Sequence, residues 1–171
     1  MEYIFHKGEF PIGDKFDRVH ALLVTGDGRV LMRYKNGEAR VTGGRLEQDD
    51  DDIETALERE VREEINCEID RNDYVGYIEA INEDTHEREL WARMVARVSQ
   101  IGEPMPDPDR GNNWIYGRIL VLIEIAEREM MNTFPTNKEF LQEALKVARK
   151  QEYWTSLPSQ EYEALNIESH D

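Results

Sequence analysis

Cysteine is almost missing from this chain: Cys67 is the single one in 171 residues, so no disulfide can form within it. A lone thiol suits a reducing compartment, and the expected location is cytoplasmic. It also leaves no paired Cys/His spacing for zinc. Long apolar runs are missing too. None approaches the roughly 18 residues that a membrane span needs, and residues 1–10 lack the basic start and apolar core of a secretion signal. Positive charge is scarce. Against 37 Asp and Glu stand 21 Lys and Arg, a net charge of −16, which argues against nonspecific binding to nucleic acid or an anionic membrane. An anionic substrate would meet a repulsive surface, so metal ions and a few local arginines would have to reverse the sign inside a cleft. Internal repeats and low-complexity linkers are absent as well, and the length predicts one domain over 1–171.

The acids are not evenly spread. Asp49 to Asp52 form a run that lacks the glycine and terminal glutamate of an EF-hand loop, so it reads as a helix cap and solvated loop. Shortly after it comes Arg59-Glu60-Val61-Arg62-Glu63-Glu64. On a helix, where each residue turns by about 100°, Glu60, Glu63 and Glu64 share one face. Ile53, Leu57, Val61 and Ile65 make an apolar stripe beside that face, which places the carboxylates at the edge of a buried surface. Like charges at i and i+4 repel. A cluster of hard oxygen ligands that a cation would relieve is what Mg²⁺ or Mn²⁺ requires. A helix over about Asp51 to Ile65 is predicted, with one of Asp49 to Asp52 as N-cap and Asn66 in the left-handed position after its last turn. Gly43-Gly44 allows close backbone approach before it.

From Gly43 to Cys67 this segment resembles the Nudix box of the Nudix hydrolases. Arg59, Glu60, Val61, Glu63 and Glu64 fill their places unchanged, and Gly43-Gly44 stands where the leading glycines stand. The stretch from Gly44 to Arg59 is one residue too long, the first box glutamate falls on Asp51 when counted back from Arg59, and Asn66 and Cys67 replace the closing Gly and aliphatic residue. The resemblance implies Mg²⁺-dependent hydrolysis (Mn²⁺ as an alternative) of a nucleoside diphosphate linked to another group. Glu60, Glu63, Glu64 and the Gly43 carbonyl would be ligands. Glu63 or Glu60 would serve as base, with Glu103, Asp107 and Asp109 as rival candidates, and Arg59 would orient a box glutamate. The resemblance also implies an α/β fold, an α/β/α sandwich with a mixed sheet and the box helix at the cleft.

Periodicity alone gives strands at Arg18 to Thr25, Arg29 to Tyr34, Asp73 to Ile81, Glu87 to Val98 and Trp114 to Leu122. Gly26-Asp27-Gly28 reads as the turn of a hairpin. In the long strand Leu90, Ala92, Met94, Ala96 and Val98 fall on a core face and Trp91, Arg93, Val95 and Arg97 on the other. Helices are expected near Glu124 to Met130 and over Asn137 to Gln151, the latter opened by Thr136 with Glu139 three residues on. A polar tail after Ser156 would carry a short helix and then fray. The apolar stripe of the 137–151 helix fits either a closed core or a homodimer seam.

Substrate contacts are expected from Arg40, Arg93 and Arg33 to phosphate and from Trp91, Tyr34 or Trp114 to a base, with Asn112-Asn113 as weaker partners for a purine edge. Neither the proline nor the tyrosine that marks family subclasses is present, since Asn82 and Asp84 stand there. A small nucleotide, either a nucleoside triphosphate or a nucleoside diphosphate sugar, is the default. The alternatives are a non-catalytic nucleotide sensor, an isopentenyl diphosphate isomerase and an RNA-decapping enzyme. The −16 charge disfavours the last of these.

Overall fold

The structure is a computed structural model and describes residues 1–109, 114–131, 133–154 and 165–167. The centre is β2 (Arg18–Thr25), whose residues are buried on both sides of a sheet. Val19, Ala21 and Leu23 join one apolar cluster, while Leu22 and Val24 join another on the opposite face. A strand covered on both faces reads as a continuous apolar run, which is why RVHALLVT lacks clean alternation.

The remaining strands are β1 (Glu2–Lys7), β3 (Val30–Lys35), β4 (Glu38–Arg40), β5 (Thr42–Arg45), β6 (Cys67–Ile81), β7 (Arg88–Ile101), β8 (Gly117–Val121) and β9 (Leu165–Ile167). The sheet runs β1-β6-β7-β2-β3-β8-β9, with β5 also on β2 and β4 on β3. Only β2 and β7 pair in parallel among these contacts, so the sheet is mixed as expected. β5 covers Arg18 to Ala21 of β2, and β3 takes over at Leu23 and Val24.

Helix α1 (Ile53–Ile65) lies on one face. Its Ala56, Leu57, Val61 and Ile65 pack with Val19, Ala21, Leu23, Met94 and Ala96. Helices α2 (Ile123–Met130) and α3 (Asn137–Lys150) cover the other face with Val95, Val24 and Met32. Phe140, Leu141, Ala144, Leu145 and Ala148 of α3 are 0–3% exposed. That stripe therefore closes the core of its own chain and is not free to form a dimer seam.

The two faces of β7 divide as expected and both are covered, with Val95 at 0% and Arg93 at 3% exposure. Three expectations need correction. Thr136 stands at the N-cap of α3 as expected, but its side chain makes no capping bond and its hydroxyl has no partner among the described residues. Instead Asn137 Nδ2 donates to Met130 O at 3.0 Å and Thr133 Oγ1 at 2.9 Å, which ties α3 to the end of α2. Strand β6 starts at Cys67, six residues before the expected Asp73, and absorbs the added length in register shifts at Glu68/Ile69, Ile69/Arg71 and Tyr74/Gly76. In the tail, where a helix was expected, residues 165–167 form β9 against β8. The rest of 155–171 and the Asn112-Asn113 pair lie outside the described residues.

Candidate active site

Helix α1 is held at both ends. Asp52 Oδ1 accepts from the Thr55 N–H at 2.8 Å, a cap that contributes about 1 kcal/mol. At the other end Asn66 adopts φ 45°, ψ 56° and its N–H returns to Arg62 O. Two further contacts anchor this end to the loop after β7. Asn66 Nδ2 donates to Glu103 O at 2.7 Å, and the buried Arg118 donates to Ile65 O at 2.9 Å and Gly102 O at 2.7 Å. Sequence reading missed Arg118, because nothing local to β8 signals that its guanidinium caps a helix 53 residues earlier.

Arg59 organises one side of the acidic face. Its guanidinium donates to Glu63 Oε2 at 2.9 Å and Glu60 Oε1 at 3.1 Å, to the Arg45 carbonyl at 2.9 Å, and to both oxygens of Asp50 at 3.2 and 3.0 Å. Hydrogen bonding from Arg59 holds the Asp50 carboxyl below its usual range. The acid that meets Arg59 is thus Asp50, while Asp51 is exposed. Counting forward from Gly44 rather than back from Arg59 selects Asp50, so the extra residue lies after it.

The glycines shape the other wall. Gly43 has φ +143°, and a Cβ there would sit 2.1 Å from Val19 O. A Cβ on Gly44 would lie 2.3 Å from Glu60 Oε1. The Gly43 N–H donates to Glu64 Oε2 at 3.1 Å, and Arg33 pairs with the other oxygen of Glu64. All three box glutamates titrate high. Burial pushes Glu64 up to about 7 against the pull of Arg33 and the Gly43 N–H, with Glu60 and Asp107 adding repulsion. Burial raises Glu60 and Glu63 too, over the opposing effect of Arg59, and Asp109 raises both further. Asp107 and Asp109 are therefore brought within electrostatic reach of the box. Glu103 is exposed and lends its backbone carbonyl to Asn66.

Among the described residues no three acidic, histidine or cysteine side chains form a preformed metal cage. Arg59 and Arg33 neutralise the acids instead. The donor chemistry nevertheless fits a divalent cation: hard carboxylate oxygens on one helix face, disfavoured in their charged form by burial and by each other, against a loop that only glycine lets come so close.

On the opposite face of the sheet from α1 a cavity of about 340 Å³ opens. Arg18, His20, Arg33, Arg40 and Arg93 line it with Tyr3, Val41, Trp91, Thr133, Phe134 and Asn137, and among the described residues no acid lines it. The parallel register sets Arg18 beside Trp91 and His20 beside Arg93, and His20 faces Gly43 on its other flank. Arg40, Arg93 and Trp91 of the expected contacts meet here, joined by Arg33. Arg33 and Arg40 also border an adjoining hollow of about 380 Å³ with Lys35 and Tyr116. Tyr34 and Trp114 line neither space, and each is more than a third exposed. His20 and Arg18 were not singled out from the sequence.

A mixed sheet between helices, with a carboxylate-bearing helix on one face and a basic cavity on the other, defines a Nudix-type α/β enzyme fold. A family model described as NUDIX domain matches residues 14–143, and the chain belongs to the Nudix hydrolase family. Among solved structures it is similar to the Bacillus subtilis pyrophosphohydrolase BsRppH in its E68A form, at 18% identity and TM-score 0.65, over 87% of this chain and 90% of that one. It is similar also to a NUDIX hydrolase from Nitrosomonas europaea, at 19% identity and TM-score 0.57, over 78% and 90% of the two chains. The E. coli ORF135 protein aligns at 18% identity and TM-score 0.54, over 83% and 97%. These likenesses establish the fold. No protein of curated function matches the sequence.

Proposed function

We propose that this protein is a divalent-metal-dependent pyrophosphohydrolase acting on a small nucleotide, a nucleoside triphosphate or nucleoside diphosphate sugar. The observation that carries this reading is Glu60, Glu63 and Glu64 on one face of a helix anchored at both ends, linked through Arg33 to a cavity rich in arginine. Glu60, Glu63, Glu64 and the Gly43 carbonyl are the groups that would hold Mg²⁺ or Mn²⁺. When bound, the ion supplies charge neutralisation at the diphosphate and a more acidic water for in-line attack at phosphorus. Arg59 fixes the carboxylate of Glu63 and so acts as a positioning residue. Glu63 is the first candidate for the base, since it is the least buried of the three while Glu64 is held by Arg33 and the Gly43 N–H; Glu60, buried beside Gly44, is the second. Arg33 and Arg40, at the boundary of the two hollows, are placed to receive phosphate oxygens. Trp91 offers a ring face to the rest of the substrate.

The test is to incubate the protein with nucleoside triphosphates, oxidised purine triphosphates, ADP-ribose, nucleotide sugars and dinucleoside polyphosphates in ¹⁸O-labelled water with Mg²⁺ or Mn²⁺. One class should yield products cleaved between two phosphorus atoms, with a single ¹⁸O on one of them. Metal-independent cleavage, or label at carbon, would refute the reading. Tight nucleotide binding without turnover would replace it with a sensor.

A further inference from the structure

Arg93 is the anomaly of the cavity. It is 3% exposed, and its Nε and Nη1 have no hydrogen-bond partner among the described residues. The other arginines around it are paired: Arg18 with Glu89 at 3.0 Å, Arg40 with Glu38 at 2.5 Å and Arg33 with Glu64. Arg93 meets aromatic rings instead, with its guanidinium carbon 5.9, 5.7 and 5.3 Å from the ring centres of Trp91, Phe134 and Phe140. Rings offset part of the cost of a buried cation, but they cannot accept its N–H bonds in the plane of the guanidinium. Burial accordingly drags its pKa down to about 9, with no acid opposing the shift.

His20, its neighbour on the adjacent strand, repeats the pattern. Its Nδ1 is buried and has no partner among the described residues. An imidazole presents at least one N–H to an acceptor. In a chain of net charge −16, a cavity with unsatisfied buried donors and no acid among the described residues of its lining is built for a negative group.

We propose that Arg93, His20 and Arg18 form an anion subsite for a second acidic group of the substrate, a phosphate monoester or a carboxylate remote from the diphosphate. This rests on the pyrophosphohydrolase reading and narrows it to organic diphosphates whose far end is itself anionic. Arg93 and Gly43 flank His20 on its two sides, which sets the subsite next to the box loop across β2. A cavity of about 340 Å³ accommodates a small organic spacer between the two acidic groups.

The experiment uses the full chain in EDTA, without divalent metal, so that binding at the box carboxylates is silent. Inorganic phosphate, phenyl phosphate and benzoate are titrated by calorimetry and by the protein's tryptophan fluorescence, to which Trp91 at the border of the subsite contributes. Phosphate should bind the wild type and lose at least about tenfold in Arg93→Met. Arg93→Lys, which keeps the charge and loses the fork, should lose most of that affinity as well, and His20→Ala and Arg18→Gln several-fold each. The conservative and peripheral variants keep the test decisive if Arg93→Met does not fold. Preference for phenyl phosphate or for benzoate tells which acid the site takes. Binding that is absent in the wild type, or unchanged in Arg93→Lys, Arg18→Gln and His20→Ala, overturns the subsite and makes Arg93 a stacked core cation only. Arg93-dependent binding together with a protein that hydrolyses no diphosphate would leave the subsite standing and remove the hydrolase reading. Metal-dependent turnover without Arg93-dependent binding would do the reverse.

Discussion

Adjacent residues in this site have sharply different duties. Asp50 gives both carboxylate oxygens to Arg59, whereas Asp51 faces solvent. Asp50→Asn should therefore lower turnover about tenfold or more by loosening Arg59 and, through it, Glu63, while Asp51→Asn should stay within about twofold of wild type. Steady-state kinetics on the same substrate decides between them, and equal effects would put the inserted residue on the other side of Asp50. The two glycines divide in the same way. A methyl on Gly43 would strike the backbone of Val19 at a φ that L-residues avoid, so Gly43→Ala should cost roughly 1–3 kcal/mol in urea unfolding. A methyl on Gly44 would strike only the movable end of Glu60. Gly44→Ala should leave the unfolding midpoint nearly unchanged and weaken Mn²⁺ affinity, read by calorimetry.

At the scale of elements, α1 is the part that the sequence specifies best, because its signals are local. The 3.6-residue period of Leu57, Val61 and Ile65, the cap at Asp52 and the left-handed Asn66 all act within one helix and need no knowledge of the rest of the chain. Asn66 has two roles that substitution can separate. Asn66→Ala loses both the backbone tolerance and the bond to Glu103 O, and should destabilise by about 1–2 kcal/mol. Asn66→Gly restores the backbone and should recover most of that stability, yet leave the loop bearing Asp107 and Asp109 less well tied. Chemical denaturation ranks the pair, and an equal loss in both would show that the bond to Glu103, not the turn, is what matters. By contrast, β1 escaped the sequence reading. EYIFHK alternates poorly, and its partners in β6 lie some seventy residues away. Thr136 holds the N-cap position its signature marked but makes no side-chain capping bond, and Asn137 ties α3 to the end of α2 instead.

Across the whole molecule, the cavity was the least legible feature, since Arg93, Trp91 and Arg40 were credible candidates individually but their meeting depends on a parallel pairing of β2 with β7. His20 had no local signal at all: only that pairing places it between Arg93 and Gly43. The rim of the cavity also couples charge to stability. Burial would raise Glu89, but Arg18, the Trp91 indole N–H and Arg45 outweigh it and bring its carboxyl down to about 2, from 4.5 for an isolated glutamate. A carboxyl that holds its proton less firmly when folded adds stability that is complete above about pH 4.5 and fades as the pH falls toward 2. Glu89→Gln should be less stable than wild type at pH 7 by an amount of order 0.5–1 kcal/mol, after allowance for solvent screening. The gap should narrow steadily between pH 4.5 and pH 3. A gap in urea midpoints that stays constant with pH would show that Glu89 contributes by packing rather than by charge.

The central claim is that the carboxylates of α1 carry metal-dependent hydrolysis. Turnover of the responsive diphosphate with increasing Mg²⁺ or Mn²⁺, compared among wild type, Glu63→Gln and Glu64→Gln, tests it most directly. The account predicts saturable metal dependence in the wild type and a loss of at least about a hundredfold in each variant, both remaining folded. Undiminished turnover in the two variants would contradict it.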